Sequence, residues 1–163
     1  MQTIMITGCS SGFGLETARY FLEQGWKVIA TMRAPQEGLL PASDRLRLVR
    51  LDVTSAQSIA EAIAEAGEID VLVNNAGVGM LNALEGASRE AIANLFATNT
   101  LGTIAMTQAM IPRFRARRSG TIVNITSAVT LQPMPLLAVY TASKAAVNAF
   151  TESLALELRA FNI

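Results

Sequence analysis

The sequence contains no histidine, and that absence removes the commonest metal ligand, the usual general base and any Ser-His-Asp triad. Chemistry near neutral pH must therefore use other groups. A single cysteine, Cys9, cannot form an internal disulfide, which points to a reducing compartment. Thirteen basic residues balance thirteen acidic ones, so the chain has no electrostatic footprint for nucleic acid or an anionic membrane surface. No apolar run approaches the ~20 residues that cross a bilayer, because Arg, Glu, Gln or Asn interrupts throughout. Met1 to Thr7 shows no charged leader ahead of a signal-type apolar segment. These absences predict a soluble, cytoplasmic protein that acts on a small molecule, with no nucleic-acid or membrane partner and no bound metal.

What is present suits one globular domain over residues 1–163, since 51% of the residues are hydrophobic. β-Branched apolar runs alternate with helical patterns. Strands are expected at Ile4 to Thr7, Val28 to Thr31, Leu46 to Leu51, Ile69 to Val73 and Thr121 to Ile125. Between the first two strands, Leu15, Ala18 and Leu22 fall at helical spacing from Gly12 to Gln24, and Gly25 closes that helix. Thr54 and Gln57 have capping-box spacing, predicting a helix through Ile63 towards Gly67. A longer helical region runs from about Ser88 to Arg117, ending in the basic cluster Arg113, Arg115, Arg117 and Arg118, read as a solvated helix end. Pro133 and Pro135 then lead into a last helix from about Val139 to Phe161. Strands alternating with helices specify α/β architecture on a parallel sheet.

Directly after the first strand stands Thr7-Gly8-Cys9-Ser10-Ser11-Gly12-Phe13-Gly14, leading into the first helix. Glycines suit such a turn physically. Gly8 permits the tight reversal, Gly12 lets backbone approach a pyrophosphate, and Gly14 allows close helix–sheet packing, with the helix N-terminus facing the anion. An ordinary strand-to-helix turn also takes glycines, so the loop gains meaning from its context.

The TGxxxGxG spacing resembles the short-chain dehydrogenase/reductase family, as do Asn74-Asn75-Ala76-Gly77 after the fourth strand, Ser127 after the fifth, and Tyr140-Thr-Ala-Ser-Lys144 opening the last helix. The resemblance runs from Thr3 to the chain end, and the glycine loop with Lys27 to Arg33 is most similar to the hydroxysteroid and retinol dehydrogenase branch. It implies a doubly wound parallel sheet (Rossmann) with strand order 3-2-1-4-5 and a bound nicotinamide dinucleotide. The implied cofactor-binding residues are Gly8, Ser10, Ser11, Gly12, Phe13, Gly14, Arg33, Asp52, Val53, Asn75, Ala76, Gly77, Tyr140 and Lys144. At the end of the second strand, Met32 stands where relatives that prefer NAD carry Asp. Arg33 follows with a guanidinium suited to a 2′-phosphate, so NADP(H) is expected over NAD(H). Ser11 is placed to add a hydroxyl contact to the same phosphate. As residue chemistry alone, Arg33 also suits an exposed loop and Asp52 a polar strand end.

Tyr140 and Lys144, four residues apart, share one face of a helix. A cation ~4 Å from a forming phenolate supplies about 4 kcal/mol at an effective dielectric of ~20, enough to make a tyrosine a proton carrier near neutrality. The resemblance implies that Tyr140 exchanges a proton with the substrate oxygen and that Lys144 also holds the nicotinamide ribose. Ser127 orients that oxygen, and Asn99 holds a water linking Lys144 to solvent. From residue type alone, Asn99 within a helix suggests a solvent-facing side chain or a kink. Ser127 equally suits strand-end capping, and Tyr140 a half-buried core aromatic. Cys9 is read as a packing residue, with no histidine to activate it. Met134 and Leu136 are expected to border the substrate space.

Single-domain members of this family continue past the Tyr-Lys helix with a sixth strand, a Pro-Gly segment against the nicotinamide, a substrate lid and a seventh strand. This sequence ends at Ile163, with no Pro-Gly after Tyr140. The expectation is a chain truncated at its C-terminus, lacking strands 6 and 7, with the fifth strand an open edge carrying Val123 and Ile125. The expected function is an NADP(H)-dependent carbonyl reductase or alcohol dehydrogenase. The alternatives are a non-catalytic nucleotide-binding or interaction module and an inactive fragment. Small residues Ala142, Ala146, Ala149 and Ser153 on the last helix suit close helix approach, so a homodimer or homotetramer is expected.

Overall fold

Strand-forming runs here are apolar at successive positions, the pattern of strands buried on both faces. In the computed structural model, which describes residues 1–163, Ile4, Met5 and Ile6 of β1 (Thr3–Thr7) are wholly buried, and Val28 to Met32 of β2 (Lys27–Met32) are buried. Three further strands complete the sheet: β3 (Leu46–Arg50), β4 (Val71–Asn74) and β5 (Thr121–Asn124). All pairings are parallel, in the order β3-β2-β1-β4-β5. This is the order the sequence led us to expect.

Parallel neighbours need crossovers, and helices provide all of them but the β2–β3 connection, which is loop. The helices are α1 (Gly12–Glu23), α2 (Ala56–Ala66), α3 (Arg89–Phe96), α4 (Gly102–Arg117) and α5 (Ala138–Leu158). Alternate strand residues feed two cores. Met5, Ile29, Val49 and Leu72 pack with Ile59 and Ile63 of α2 and with Met106, Met110 and Phe114 of α4. Ile4, Ile6, Val28, Ala30 and Val73 pack on the other face with Ala18 and Leu22 of α1. Helices therefore cover both faces, as in a doubly wound sheet. No helix is long and apolar enough to cross a membrane.

Four local readings need correction. The α2 cap is Ser55, whose hydroxyl accepts from the Ser58 amide, rather than Thr54. Thr54 lies one residue ahead of the cap and donates through both its amide and its hydroxyl to Asp52 Oδ1 at 2.9 and 2.7 Å. The helical region from Ser88 to Arg117 is interrupted by a wide π-turn at Ala97–Leu101, where the backbone register slips by one residue. The basic helix end is exposed but not merely solvated. Arg113 donates to the Gly67 carbonyl at 2.8 Å, Arg117 to that of Ile69, and Arg118 to that of Ala160 at 2.7 Å, while Arg115 lies over the Phe161 ring. Finally, α5 ends at Leu158, and a single 3₁₀ turn, Arg159–Phe161, finishes what was expected to be helix.

Candidate active site

In a sheet of this order the chain leaves β1 and β4 in opposite directions, so the loops beyond their C-terminal ends part and leave a crevice. The glycine loop leaves β1 at that point, and Asn75 to Gly77 leave β4 beside it. The two are joined by Thr7, whose buried hydroxyl accepts from the amides of Asn75 and Ala76 at 3.0 and 2.9 Å. Asn75 Nδ2 returns to the carbonyls of Thr7 and Gly8 at 2.8 and 3.2 Å. Gly14 tolerates no side chain, because a Cβ there would overlap the Gly8 carbonyl oxygen and Asn75 Nδ2. Close packing of α1 on this junction is thus written into one residue.

A cleft of about 1030 Å³ opens above the junction. Its lining includes Gly8, Ser10, Ser11, Gly12, Phe13, Arg33, Asp52, Val53, Asn75, Ala76, Gly77, Ser127, Tyr140 and Lys144. The structure therefore brings together every site residue named from the sequence except Gly14 and Asn99, which lie behind the surface. Met32, at the end of β2, is buried yet contributes to the wall, and Arg33 beside it is exposed. Met134 and Leu136 are exposed on the loop before α5 and do not line the cleft, contrary to expectation. The Leu136 carbonyl accepts from the Asn82 amide at 2.9 Å.

The cleft suits an anionic nucleotide on two counts. Unlike α2 and α3, capped by Ser55 and Ser88, α1 has no side-chain cap at its N-terminus, leaving its first N–H groups free to meet an anion. Gly12, with φ 57°, has nothing within 4 Å of where its Cβ would be, so backbone lies open to a ligand. At the far wall, Asp52 is held below the ordinary carboxylate range, chiefly by the Thr54 hydroxyl and amide and to a lesser degree by Arg33 and Arg50.

Asn99 lies in the π-turn, an irregularity of the kind its residue type suggested, and is wholly buried rather than facing solvent. Its Oδ1 accepts from the Val78 amide at 2.8 Å, while Nδ2 donates to the Val78 carbonyl at 2.9 Å and to Ser143 Oγ at 3.2 Å. A primary amide matches a backbone amide in this two-bond pairing, which clasps the loop after β4 to α5. Ser143, which the sequence reading passed over, completes the link by donating to the Tyr140 carbonyl at 2.7 Å. Its position one residue before Lys144 was the available signal. A Cβ on Gly77 would stand 3.3 Å from Asn99 Oδ1 and 3.4 Å from Lys144 Nζ, so these three residues meet at one point.

Lys144 is buried and donates to the Ile125 carbonyl at 2.8 Å, and desolvation pushes its ammonium below the ordinary lysine range. Ser127 does cap a turn, Ala128–Thr130, but only by accepting a long 3.4 Å bond from the Val129 amide, which leaves its O–H free to donate. Cys9 is wholly buried, its thiol pushed up to about 12 by burial and directed at the Ile6 carbonyl. It packs, as expected.

Known proteins share this fold. A family described as short chain dehydrogenase matches residues 2–163. Retinol dehydrogenase 8 of Bos taurus is 42% identical over 174 residues, spanning 99% of this chain and 56% of its own length. A 3-ketoacyl-(acyl-carrier-protein) reductase from Brucella melitensis, solved with NADH, superposes with a TM-score of 0.93 at 30% identity over 99% of this chain and 71% of the other. Serine dehydrogenase, solved with NADP⁺, superposes with a TM-score of 0.89 at 36% identity over 96% and 66%. The chain thus spans little more than half the length of the retinol dehydrogenase it matches. Glycine loop, sheet order, Ser-Tyr-Lys constellation and similarity along the whole sequence agree, and the chain belongs to the short-chain dehydrogenase family.

Proposed function

We propose that this chain carries the cofactor cradle and proton-transfer centre of an oxidoreductase that passes a hydride between NADP(H) and a carbonyl or secondary-alcohol substrate. One observation carries the reading: the uncapped α1 N-terminus and the side chains of Ser127, Tyr140 and Lys144 open onto the same cleft.

The residues divide the work by position. Gly8, Ser10, Ser11, Gly12, Phe13 and Gly14 form the pyrophosphate cradle, with α1 N–H groups as donors. Arg33, with Ser11, takes the 2′-phosphate, and the absence of a carboxylate at Met32 removes the partner that a free 2′-hydroxyl would use. Asp52 and Val53 face the adenine side, and Asn75, Ala76 and Gly77 the adenosine ribose. Tyr140 and Lys144 hold the nicotinamide ribose. The bound nicotinamide supplies or accepts the hydride.

Around the reacting oxygen, this chain manages the proton. Tyr140 gives it to a carbonyl oxygen during reduction and takes it from the alcohol during oxidation. Ser127 donates its unused O–H to the same oxygen and so fixes the carbonyl plane. Lys144 favours the phenolate through its charge, and the Ile125 carbonyl holds the ammonium in place against the cost of its burial.

Turnover tests this directly. With NADPH and a panel of small cyclic and aromatic ketones, Tyr140→Phe is expected to lower kcat by roughly 10²–10⁴-fold, the range for losing a positioned acid. Its affinity for NADPH stays close to that of the unaltered chain. Equal turnover by the two proteins would overturn the assignment.

A further inference from the structure

The turn after Ser127 is tied to the helix of Tyr140 and Lys144 through one hydroxyl. Thr130 Oγ1 donates to the Ser127 carbonyl at 2.8 Å and accepts from Asn148 Nδ2 at 3.0 Å. A hydroxyl has one proton to give and lone pairs to receive, so the two bonds coexist without competition. Asn148 belongs to a face of α5 defined by Lys144, Asn148 and Thr151, at i, i+4 and i+7. Lys144 Nζ holds the Ile125 carbonyl at 2.8 Å, and Thr151 Oγ1 accepts from Asn124 Nδ2 at 2.8 Å. Those two clasps secure the chain before Ser127. The Asn148–Thr130 bond secures it after, so Ser127 is spanned by attachments to the helix that bears Tyr140.

We propose that Thr130 and Asn148 are positioning residues that set the Ser127 hydroxyl against Tyr140 for the reaction, an inference that rests on the oxidoreductase reading above. Ser127 has little hold of its own, since its Oγ makes only the 3.4 Å bond to the Val129 amide. Its placement follows from its backbone, whose carbonyl accepts from the Thr130 hydroxyl and, at 3.1 Å, from the Thr130 amide, and only the hydroxyl passes that hold on to α5. Neither Thr130 nor Asn148 lines the cleft, so both act through Ser127. Loss of the clasp should therefore slow turnover and leave nucleotide binding alone.

The test compares Thr130→Val, Thr130→Ser and Asn148→Leu in NADPH-dependent reduction of the ketone panel, with Tyr140→Phe alongside. Thr130→Val keeps the shape and loses the hydroxyl, and is expected to lower kcat about tenfold, a moderate cost for a small misplacement of a reacting group. The KM for NADPH stays unchanged, and Thr130→Ser restores most of the rate. Combining Thr130→Val with Asn148→Leu should cost no more than either alone, because both remove one clasp. Wild-type turnover by Thr130→Val, an equal loss in Thr130→Ser, or losses that multiply in the double variant would each overturn the inference. Should Thr130→Val fail to fold, Asn148→Asp decides. A carboxylate there draws the Thr130 proton, keeping the tie to α5 while removing the hydroxyl's bond to Ser127 and leaving only the amide's, so turnover slows, and an unchanged rate overturns the proposal. A Tyr140→Phe variant that turns over normally would instead sink the oxidoreductase reading, and this inference with it.

Discussion

The lysine at the base of the cleft carries a cost that can be read in solution. Burial lowers the proton affinity of Lys144 in the folded chain below that of the unfolded chain. Between those two values the unfolded state binds the extra proton, so stability rises with pH in that window, and the penalty is fully present below it. The unfolding free energy of the unaltered chain, compared with Lys144→Met, should therefore increase as pH climbs from neutrality towards the ordinary lysine range of ~10.4. A difference that stays flat with pH would contradict the burial. The sequence exposes Lys144 and Tyr140 as a pair because helix periodicity puts them on one face. It could not expose what surrounds them. Asn99 shows the limit: its type suggests a solvent-facing or kinking residue, whereas the amide is wholly buried against Val78 and Ser143, contacts 21 and 44 residues away that no local pattern encodes.

Among the elements, the loop between β1 and α1 was the most legible, since glycines at a strand-to-helix junction answer to backbone geometry that every such turn shares. Replacing Gly14 by Ala tests that geometry. The added methyl collides with the Gly8 carbonyl, which is backbone, and with Asn75 Nδ2, a side-chain end held by the Thr7 and Gly8 carbonyls. The expected loss in urea unfolding is about 2–3 kcal/mol, at the upper end for overpacking, and a loss below ~0.5 kcal/mol, the range of an inert surface change, would contradict the packing described. Helix boundaries were less legible because caps compete. Thr54 and Ser55 both offer hydroxyls, and α2 begins one residue later than the capping-box spacing suggests, with Ser55 as its cap. The π-turn at Ala97–Leu101 had only one local hint, the helix-disfavouring Asn99 within it. It is a register slip that lets Asn99 and Thr100 both reach Ser143, on a helix distant in the chain.

For the molecule as a whole, the alternation of strands and helices made the parallel α/β sheet readable, whereas its strand order came from the family resemblance; the open edge expected at β5 is also present. The sheet ends at β5, where Val123 and Ile125 are 39% and 37% exposed, and α5 exposes Ala142, Ala149, Ser153 and Leu156. Apolar surface of this kind favours association. Light scattering at micromolar concentration is expected to give a mass above that of one chain, and a monomeric mass would count against the homodimer or homotetramer reading. If the cleft holds a nucleotide, Arg33 at the end of β2 sets its preference between the two nicotinamide dinucleotides. Equilibrium titration of the chain with NADPH and NADH, followed by nicotinamide fluorescence, tests this most directly when Arg33→Asp is carried alongside. The account predicts tighter binding of NADPH, with that preference lost in Arg33→Asp; binding of neither nucleotide, or equal affinity for both in the unaltered chain, would contradict it.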